Sequence, residues 1–203
     1  MASVTLLERI FSPRYFQGLA LFLFGVYARV FRGLRVTGVE NVPREGPVVV
    51  ACNHFSAWDP PVVAVASGRP LDFMAKVELF GSELSAAFMR GLGAFPVDRS
   101  RSDVGAVKEA IRRLNAGRAV GIFIQGTRNA GDAAALDGAA FIAQSSGAPV
   151  VPAAVWLEGK RFHVTFGEPI KPEGKGREAV RALTSETARR IAELLPDRGQ
   201  KAV

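Results

Sequence analysis

The chain has 203 residues, of which 48% are hydrophobic and 22% charged. This composition excludes a disordered chain and favours one domain with a substantial core. The formal net charge of +7 indicates an anionic partner, either nucleic acid or a lipid surface. A single cysteine, Cys52, excludes an internal disulfide and is typical of a reducing compartment. No further cluster of cysteines and histidines completes a metal site around it, so we expect no metal.

Residues 1–33 combine basic and apolar side chains. The first 35 residues contain five arginines and one glutamate, and these charges flank the apolar run 18–28. Between Arg14 and Arg29 lie 14 uncharged residues, which as a helix extend about 21 Å, less than the roughly 30 Å hydrocarbon core of a bilayer. We therefore expect a helix or helix pair that lies in one leaflet of an anionic membrane.

Two alternatives to this monotopic anchor are a signal peptide and a core helix packed on the domain. No small-x-small cleavage site follows the apolar run, so a signal peptide is not expected. Apolar periodicity alone does not separate the core helix from the anchor. Nucleic acid is disfavoured, because the positive charge borders apolar residues instead of a polar helix. The expected location is the cytoplasmic face of the cell membrane, with the protein peripheral or monotopic.

Residues 34–195 alternate between strand and helix patterns, and residues 196–203 are expected to form a flexible tail. The predicted strands cover 36–42, 48–52, 71–75, 94–97, 119–124, 150–157 and 162–166. One predicted helix begins near Pro60, and the others cover 84–92, 103–115, 136–144 and 177–195. Such alternation predicts one α/β domain, with a mixed, largely parallel sheet flanked by helices.

The most informative motif is His54 followed five residues later by Asp59, directly after the apolar strand 47–52. A histidine and a carboxylate in this arrangement are typical of a general base and the group that orients it. A spacing of five does not align two side chains on one helix face, so they must meet across a turn. Asp59 also precedes Pro60, which is typical of a helix N-cap. One carboxylate oxygen could cap the helix while the other holds the imidazole.

Several other chemistries lack their motifs. The sequence has no Gly-x-Ser-x-Gly elbow, no Gly-x-x-x-x-Gly-Lys-Ser/Thr loop and no Gly-x-Gly-x-x-Gly, which disfavours an α/β serine hydrolase and two common nucleotide-binding sites. Ser56 is the alternative nucleophile within the histidine motif, although a role in the turn is favoured.

The His-x-x-x-x-Asp motif after a strand resembles the signature of the glycerolipid acyltransferases, the family of 1-acylglycerol-3-phosphate O-acyltransferase. Five further blocks are similar to family segments and follow in the family's order: 73–80, 93–100, 123–128, 148–155 and 164–170. The resemblance extends from about residue 34 to residue 170. It departs from the family where Ile124 and Gln125 replace the usual proline and glutamate. It departs again in the block after Arg128, residues 129–138, which lacks the basic residue often found before the glycine at 138.

The resemblance implies transfer of a fatty acyl group from acyl-CoA or acyl carrier protein to lysophosphatidate, which gives phosphatidate in phospholipid synthesis. The donor is a substrate, and no cofactor is expected. His54 would be the base, with Asp59 behind it. The residues expected to bind substrate are Lys76, Arg99, Gln125, Gly126, Thr127 and Arg128. The alternatives are an acyltransferase for another lysophospholipid and an inactive lipid-binding relative.

Overall fold

The computed structural model describes residues 13–98, 103–125 and 130–196. Within these ranges the helices are α1 (Pro13–Val30), α2 (Asp59–Ala66), α3 (Glu83–Gly91), α4 (Val104–Asn115), α5 (Ala130–Ser146) and α6 (Arg177–Leu194). The strands are β1 (Arg35–Thr37), β2 (Val48–His54), β3 (Leu71–Lys76), β4 (Phe95–Val97), β5 (Ala119–Gln125), β6 (Val150–Glu158) and β7 (Arg161–Phe166). Short 3-10 helices cover Val39–Asn41 and Val77–Phe80.

These strands form one sheet in the order β1-β7-β6-β2-β5-β3-β4. Every neighbouring pair is parallel except the hairpin of β6 and β7, which is antiparallel. Consequently β1 and β7 run against the other five strands. The carboxyl ends of β2, β3, β4, β5 and β6 share one edge, here called the carboxyl edge. The predicted mixed, largely parallel sheet flanked by helices is confirmed.

Helices cover both faces of the sheet, which makes β2 apolar on both sides. Val48, Val50 and Cys52 face a core shared with α2 and the inner side of α1. Val49 and Ala51 face a second core that contains side chains of α4, α5 and α6. Because successive residues of a strand point to opposite faces, a strand buried on both faces reads as a continuous apolar run. This explains why β2 was predictable from its sequence.

One predicted strand is shorter than expected. The segment 36–42 was predicted as a strand, but β1 ends at Thr37 and Gly38 adopts a left-handed φ of 71°. A Cβ atom at Gly38 would collide with the carbonyl oxygen of Phe166, so glycine permits this close approach. The chain then turns into the 3-10 helix Val39–Asn41. The prediction of a strand beyond Thr37 is therefore wrong.

Helix α1 packs one side on the domain and exposes the other. Its inner side buries Ala28 and stacks Phe24 on Trp58, with ring centroids 5.9 Å apart. Buried Gln17 donates two hydrogen bonds from Nε2, to the carbonyls of Leu71 (3.0 Å) and Leu92 (3.1 Å). The exposed apolar side chains of α1 are Tyr15, Leu19, Phe22, Leu23, Val26, Tyr27 and Val30. No helix in the described ranges is both long and apolar enough to cross a membrane.

The bonds of Gln17 lead to a stability prediction. Substitution Gln17→Ala removes the donor for two carbonyls at a buried contact, which should cost about 1–3 kcal/mol of unfolding free energy and lower Tm by several degrees. Differential scanning calorimetry in detergent would measure this change. Leu19→Ala, on the exposed side of the same helix, is the matched control and should change stability by less than about 0.5 kcal/mol. Equal Tm values for the two variants would contradict the role of Gln17.

Candidate active site

The loop 55–58 carries the chain from β2 into α2 at the carboxyl edge. His54 is the last residue of β2, and its backbone lies in register with Gln125 of β5. Helix α2 begins at Asp59, followed at once by Pro60 and Pro61. Proline suits the first helical turn because N–H groups there have no intrahelical acceptor. The four-residue loop therefore returns Asp59 to the end of the strand that carries His54.

The predicted contact across the turn is present. The Nδ1 atom of His54 lies 2.7 Å from Oδ2 of Asp59. The Asp59 side chain is fully buried, while that of His54 remains 18% exposed. Because Nδ1–H donates to the carboxylate, the lone pair of the neutral imidazole is on Nε2. No partner for Nε2 is found among the residues that the structure describes. A basic nitrogen is thus available at the carboxyl edge.

Asp59 binds the turn and does not cap the helix. Its Oδ2 also accepts the backbone N–H groups of Phe55 (2.7 Å) and Ser56 (2.8 Å). The N-cap of α2 is Trp58, without a side-chain cap bond, so the N-cap prediction for Asp59 is wrong. The physical reason is local. Pro60 and Pro61 offer no N–H group, and the next one, of Val62, already donates to the carbonyl of Trp58 at 3.1 Å.

One aromatic ring packs beside the His54 imidazole, and a buried thiol, that of Cys52, lies two residues earlier on β2. The Phe123 ring lies 5.0 Å from it, centroid to centroid, and stacks in turn on Phe73 at 5.5 Å. Burial raises the pKa of the Cys52 thiol well above its usual range, and the Asp59 carboxylate raises this pKa further. Cys52 is therefore a neutral packing residue here. Within the described ranges, no three histidine, cysteine or acidic side chains are grouped so that they could hold a metal ion.

The other predicted site residues follow the ends of neighbouring strands. Lys76 ends β3, two strands from β2, and its side chain is exposed. Gln125 ends β5 with its Cα beside that of His54. Arg99, Gly126, Thr127 and Arg128 lie outside the described residues. For all six residues of this set, substrate binding remains a prediction.

The hydroxyl of Ser56 has a turn role in the structure. Its Oγ accepts the backbone N–H of Trp58 at 3.3 Å, and no hydrogen bond joins it to His54.

A second residue of the motif was not assigned any role from the sequence. The side chain of Asn53 makes two hydrogen bonds to Val155 on β6. The signal that could have revealed it is a polar carboxamide within an otherwise apolar strand.

The fold and the site define a mixed α/β protein that presents a histidine–aspartate pair at the carboxyl edge of its sheet. The family model described as Acyltransferase matches residues 33–156, more than half of the chain. The protein therefore belongs to the acyltransferase family and is an acyltransferase.

Relatives of known name agree with this membership. The chain is 34% identical over 177 residues to the 1-acyl-sn-glycerol-3-phosphate acyltransferase of Bacillus subtilis, covering 80% of this chain and 88% of that one. It is 32% identical over 142 residues to the enzyme of the same name from Streptococcus pneumoniae, covering 64% and 53%. The crystal structure of the Thermotoga maritima 1-acyl-sn-glycerophosphate acyltransferase PlsC superposes with a TM-score of 0.67 at 25% identity, covering 92% of this chain and 82% of that one.

The geometry of the pair gives a graded mutational prediction. His54→Ala should lower kcat by about 10²–10⁴-fold, the usual contribution of a general base, with little change in Tm. Asp59→Asn should retain partial activity, because losing an orienting group usually costs less than losing the base. Initial rates and thermal unfolding of the purified variants would be compared at one pH.

Asp59→Ala separates orientation from stability in the same experiment. It leaves the amides of Phe55 and Ser56 without their acceptor, so its Tm should fall below that of Asp59→Asn. A folded His54→Ala variant with the wild-type rate would contradict the assignment of His54 as the base.

Proposed function

We propose that this acyltransferase moves a fatty acyl group from acyl-CoA or acyl carrier protein to the free hydroxyl of lysophosphatidate, giving phosphatidate in phospholipid synthesis. The observation that carries the proposal is the 2.7 Å contact between His54 and the buried Asp59, which leaves Nε2 as the proton acceptor. The names of the relatives support lysophosphatidate as the acceptor.

The chemistry is a direct transfer. Nε2 of His54 removes the proton of the acceptor hydroxyl while that oxygen attacks the thioester carbonyl. The tetrahedral intermediate then collapses, its C–S bond breaks, and the imidazolium returns the proton to the departing thiolate. The Asp59 carboxylate stabilises the imidazolium between these two steps. No acyl-enzyme is required, which agrees with a Ser56 hydroxyl that is hydrogen-bonded within the turn.

The phosphate of the acceptor needs cationic partners near this base. Lys76 ends a strand of the carboxyl edge, and no carboxylate of the described residues forms an ion pair with its exposed ammonium group. Arg99 follows β4 in the sequence, and Gly126–Thr127–Arg128 follow β5 directly. Parallel strands direct the residues after their carboxyl ends toward one crevice. We assign phosphate binding to these residues, and the glycerol moiety to Gln125.

An acyl-transfer assay tests the function. Purified protein is incubated with a radiolabelled donor, either acyl-CoA or acylated acyl carrier protein. The acceptor is lysophosphatidate, lysophosphatidylcholine or lysophosphatidylglycerol. We expect labelled phosphatidate from the first acceptor and far less product from the others. His54→Ala is the control for adventitious transfer. Product with only another lysolipid would reassign the acceptor. A protein that binds lysolipids equally well with and without His54, and turns over none, would be an inactive lipid-binding relative.

We further propose that α1 holds the enzyme on the cytoplasmic face of an anionic membrane as a monotopic or peripheral protein. The exposed side of α1 presents apolar rings, including Phe22, which is 67% exposed, and Phe31 just beyond its end, which is 72% exposed. Four exposed cations lie at this end of the helix: Arg29, Arg35, and the hairpin residues Lys160 and Arg161. None of them forms an ion pair within the described chain. Apolar burial and phosphate attraction would therefore act together.

Vesicle sedimentation tests the anchor. The double substitution Phe22→Ser with Phe31→Ser should strongly reduce binding to vesicles of phosphatidylglycerol, because it removes two apolar rings that the membrane would bury. Val104→Ser is the matched control, since Val104 is 61% exposed but lies on α4, on the other face of the sheet. High salt should release only part of the wild-type protein, because screening leaves apolar burial intact. Complete release by salt alone would refute the apolar anchor.

A further inference from the structure

Strand β2 is paired unequally with its two neighbours. Its ladder with β5 continues to the pair of His54 and Gln125. Its ladder with β6 stops at the pair of Cys52 and Ala153, although β6 itself continues to Glu158. The backbones of β2 and β6 therefore stop pairing just before His54. Only one residue of β2, Asn53, separates the end of this ladder from His54.

The side chain of Asn53 bridges the gap between the two strands. Its Oδ1 accepts the N–H of Val155 at 2.7 Å, and its Nδ2 donates to the carbonyl of Val155 at 2.8 Å. Val155 is fully buried, so its backbone groups require partners other than water. The carboxamide thus replaces one rung of the ladder. It also keeps β2 and β6 a side chain apart at the carboxyl edge.

A neighbouring thiol helps to orient this carboxamide. The Sγ atom of Cys52 lies 3.6 Å from Oδ1 of Asn53, at the distance of a weak thiol hydrogen bond. Burial raises the pKa of that thiol, so the sulfur keeps its proton and can donate. Two donors, the N–H of Val155 and the thiol, therefore face Oδ1, and one acceptor faces Nδ2. The orientation of the amide is fixed by this arrangement.

We propose that Asn53 is a positioning residue for the acyl transfer. By fastening β2 to β6 beyond the end of their ladder, it fixes the backbone of His54 and keeps the Nε2 side of the imidazole in line with the acceptor hydroxyl. A misplacement of about 1 Å can cost roughly 10²-fold in rate, so a single clamp on the adjacent residue is enough to matter. The inference rests on the proposed function for the identity of the acceptor.

The competing interpretation is that Asn53 only stabilises the sheet. Asn41 provides a matched control for that interpretation. Its Nδ2 donates to the carbonyl of Phe166 on β7 at 3.0 Å. Asn41 therefore also attaches its own segment to a strand through a side-chain carboxamide. It lies in the 3-10 helix after β1, apart from the His54 turn. Asn41→Ala removes a comparable bond without touching the turn.

The first experiment compares steady-state constants of Asn53→Ala and Asn41→Ala with lysophosphatidate, well below the Tm of each variant. For Asn53→Ala we expect kcat to fall by about 10–100-fold with KM within about threefold of wild type, since the substrate ligands are untouched. Asn41→Ala should lower Tm and leave kcat unchanged. A folded Asn53→Ala variant with wild-type kcat would overturn the proposal.

Asn53→Asp makes the test independent of whether the alanine variant folds. The protonated carboxyl group can donate to and accept from Val155 as the amide does, whereas the carboxylate would face the Val155 carbonyl without a proton. That contact favours the neutral form and raises the pKa of the introduced carboxyl group. The ratio of variant to wild-type kcat should therefore rise as pH falls. A ratio that does not change with pH would count against the positioning role.

A spectroscopic measurement separates failure of this inference from failure of the proposed function. The chain has two histidines, His54 and His163, so their imidazole signals in ¹⁵N NMR are easily assigned from one mutant. We expect the His54 signals to shift in Asn53→Ala and not in Asn41→Ala, with or without substrate turnover. A wild type inert toward every acceptor would defeat the proposed function alone. Unchanged His54 signals in a folded Asn53→Ala variant would defeat the positioning role.

Discussion

The arrangement of the site depends on one buried oxygen atom, Oδ2 of Asp59. It accepts three N–H groups, from the imidazole of His54 and from the backbones of Phe55 and Ser56, at 2.7 to 2.8 Å. A carboxylate removed from water is costly unless donors replace its hydration. Here the donors to Oδ2 belong to the turn and to the imidazole of His54. The same three hydrogen bonds that replace the hydration of Oδ2 therefore also order the turn and fix the tautomer of His54.

The sheet gives this turn a rigid support. β2 is apolar on both faces and is paired with β5 as far as His54. On the other side, the Asn53 carboxamide continues the attachment where the ladder with β6 ends. A residue at the end of a central strand that is held on both sides has little freedom in its backbone. The imidazole can then be directed by a single bond to Asp59, because little else about its position is left free.

Much of this architecture could be predicted from local sequence, and the errors have local causes. The buried strands are recognisable as apolar runs, and the helix predicted over 103–115 is present as α4, where Asp103 accepts the N–H of Ala106 at 2.9 Å. The end of β1 was missed because it depends on Gly38 meeting Phe166, which is 128 residues away in the chain. The N-cap pattern at Asp59 is misleading because Pro60 and Pro61 have no N–H group and the N–H of Val62 is already bonded to the carbonyl of Trp58.

The long-range pairings were beyond sequence reasoning. The strand order depends on which helix crosses which face, and the role of Asn53 depends on a contact with Val155, 102 residues later. A pattern of residue types can identify a histidine and the carboxylate that contacts it, since both belong to one short motif. It does not show that the neighbouring strand β6 stops pairing with β2 at Cys52, two residues before His54.

Helix α1 links the exposed apolar surface to the turn that joins His54 to Asp59. Its Phe24 stacks on Trp58, with planes 7° apart, and Trp58 directly precedes Asp59. Phe55 and Trp58 are themselves about half exposed at the carboxyl edge. If α1 lies on a lipid surface as proposed, His54 must lie near the same surface, because a single ring contact separates the helix from the turn. An acceptor with its acyl chain in the leaflet and its hydroxyl at the headgroup level could then reach His54 without leaving the membrane.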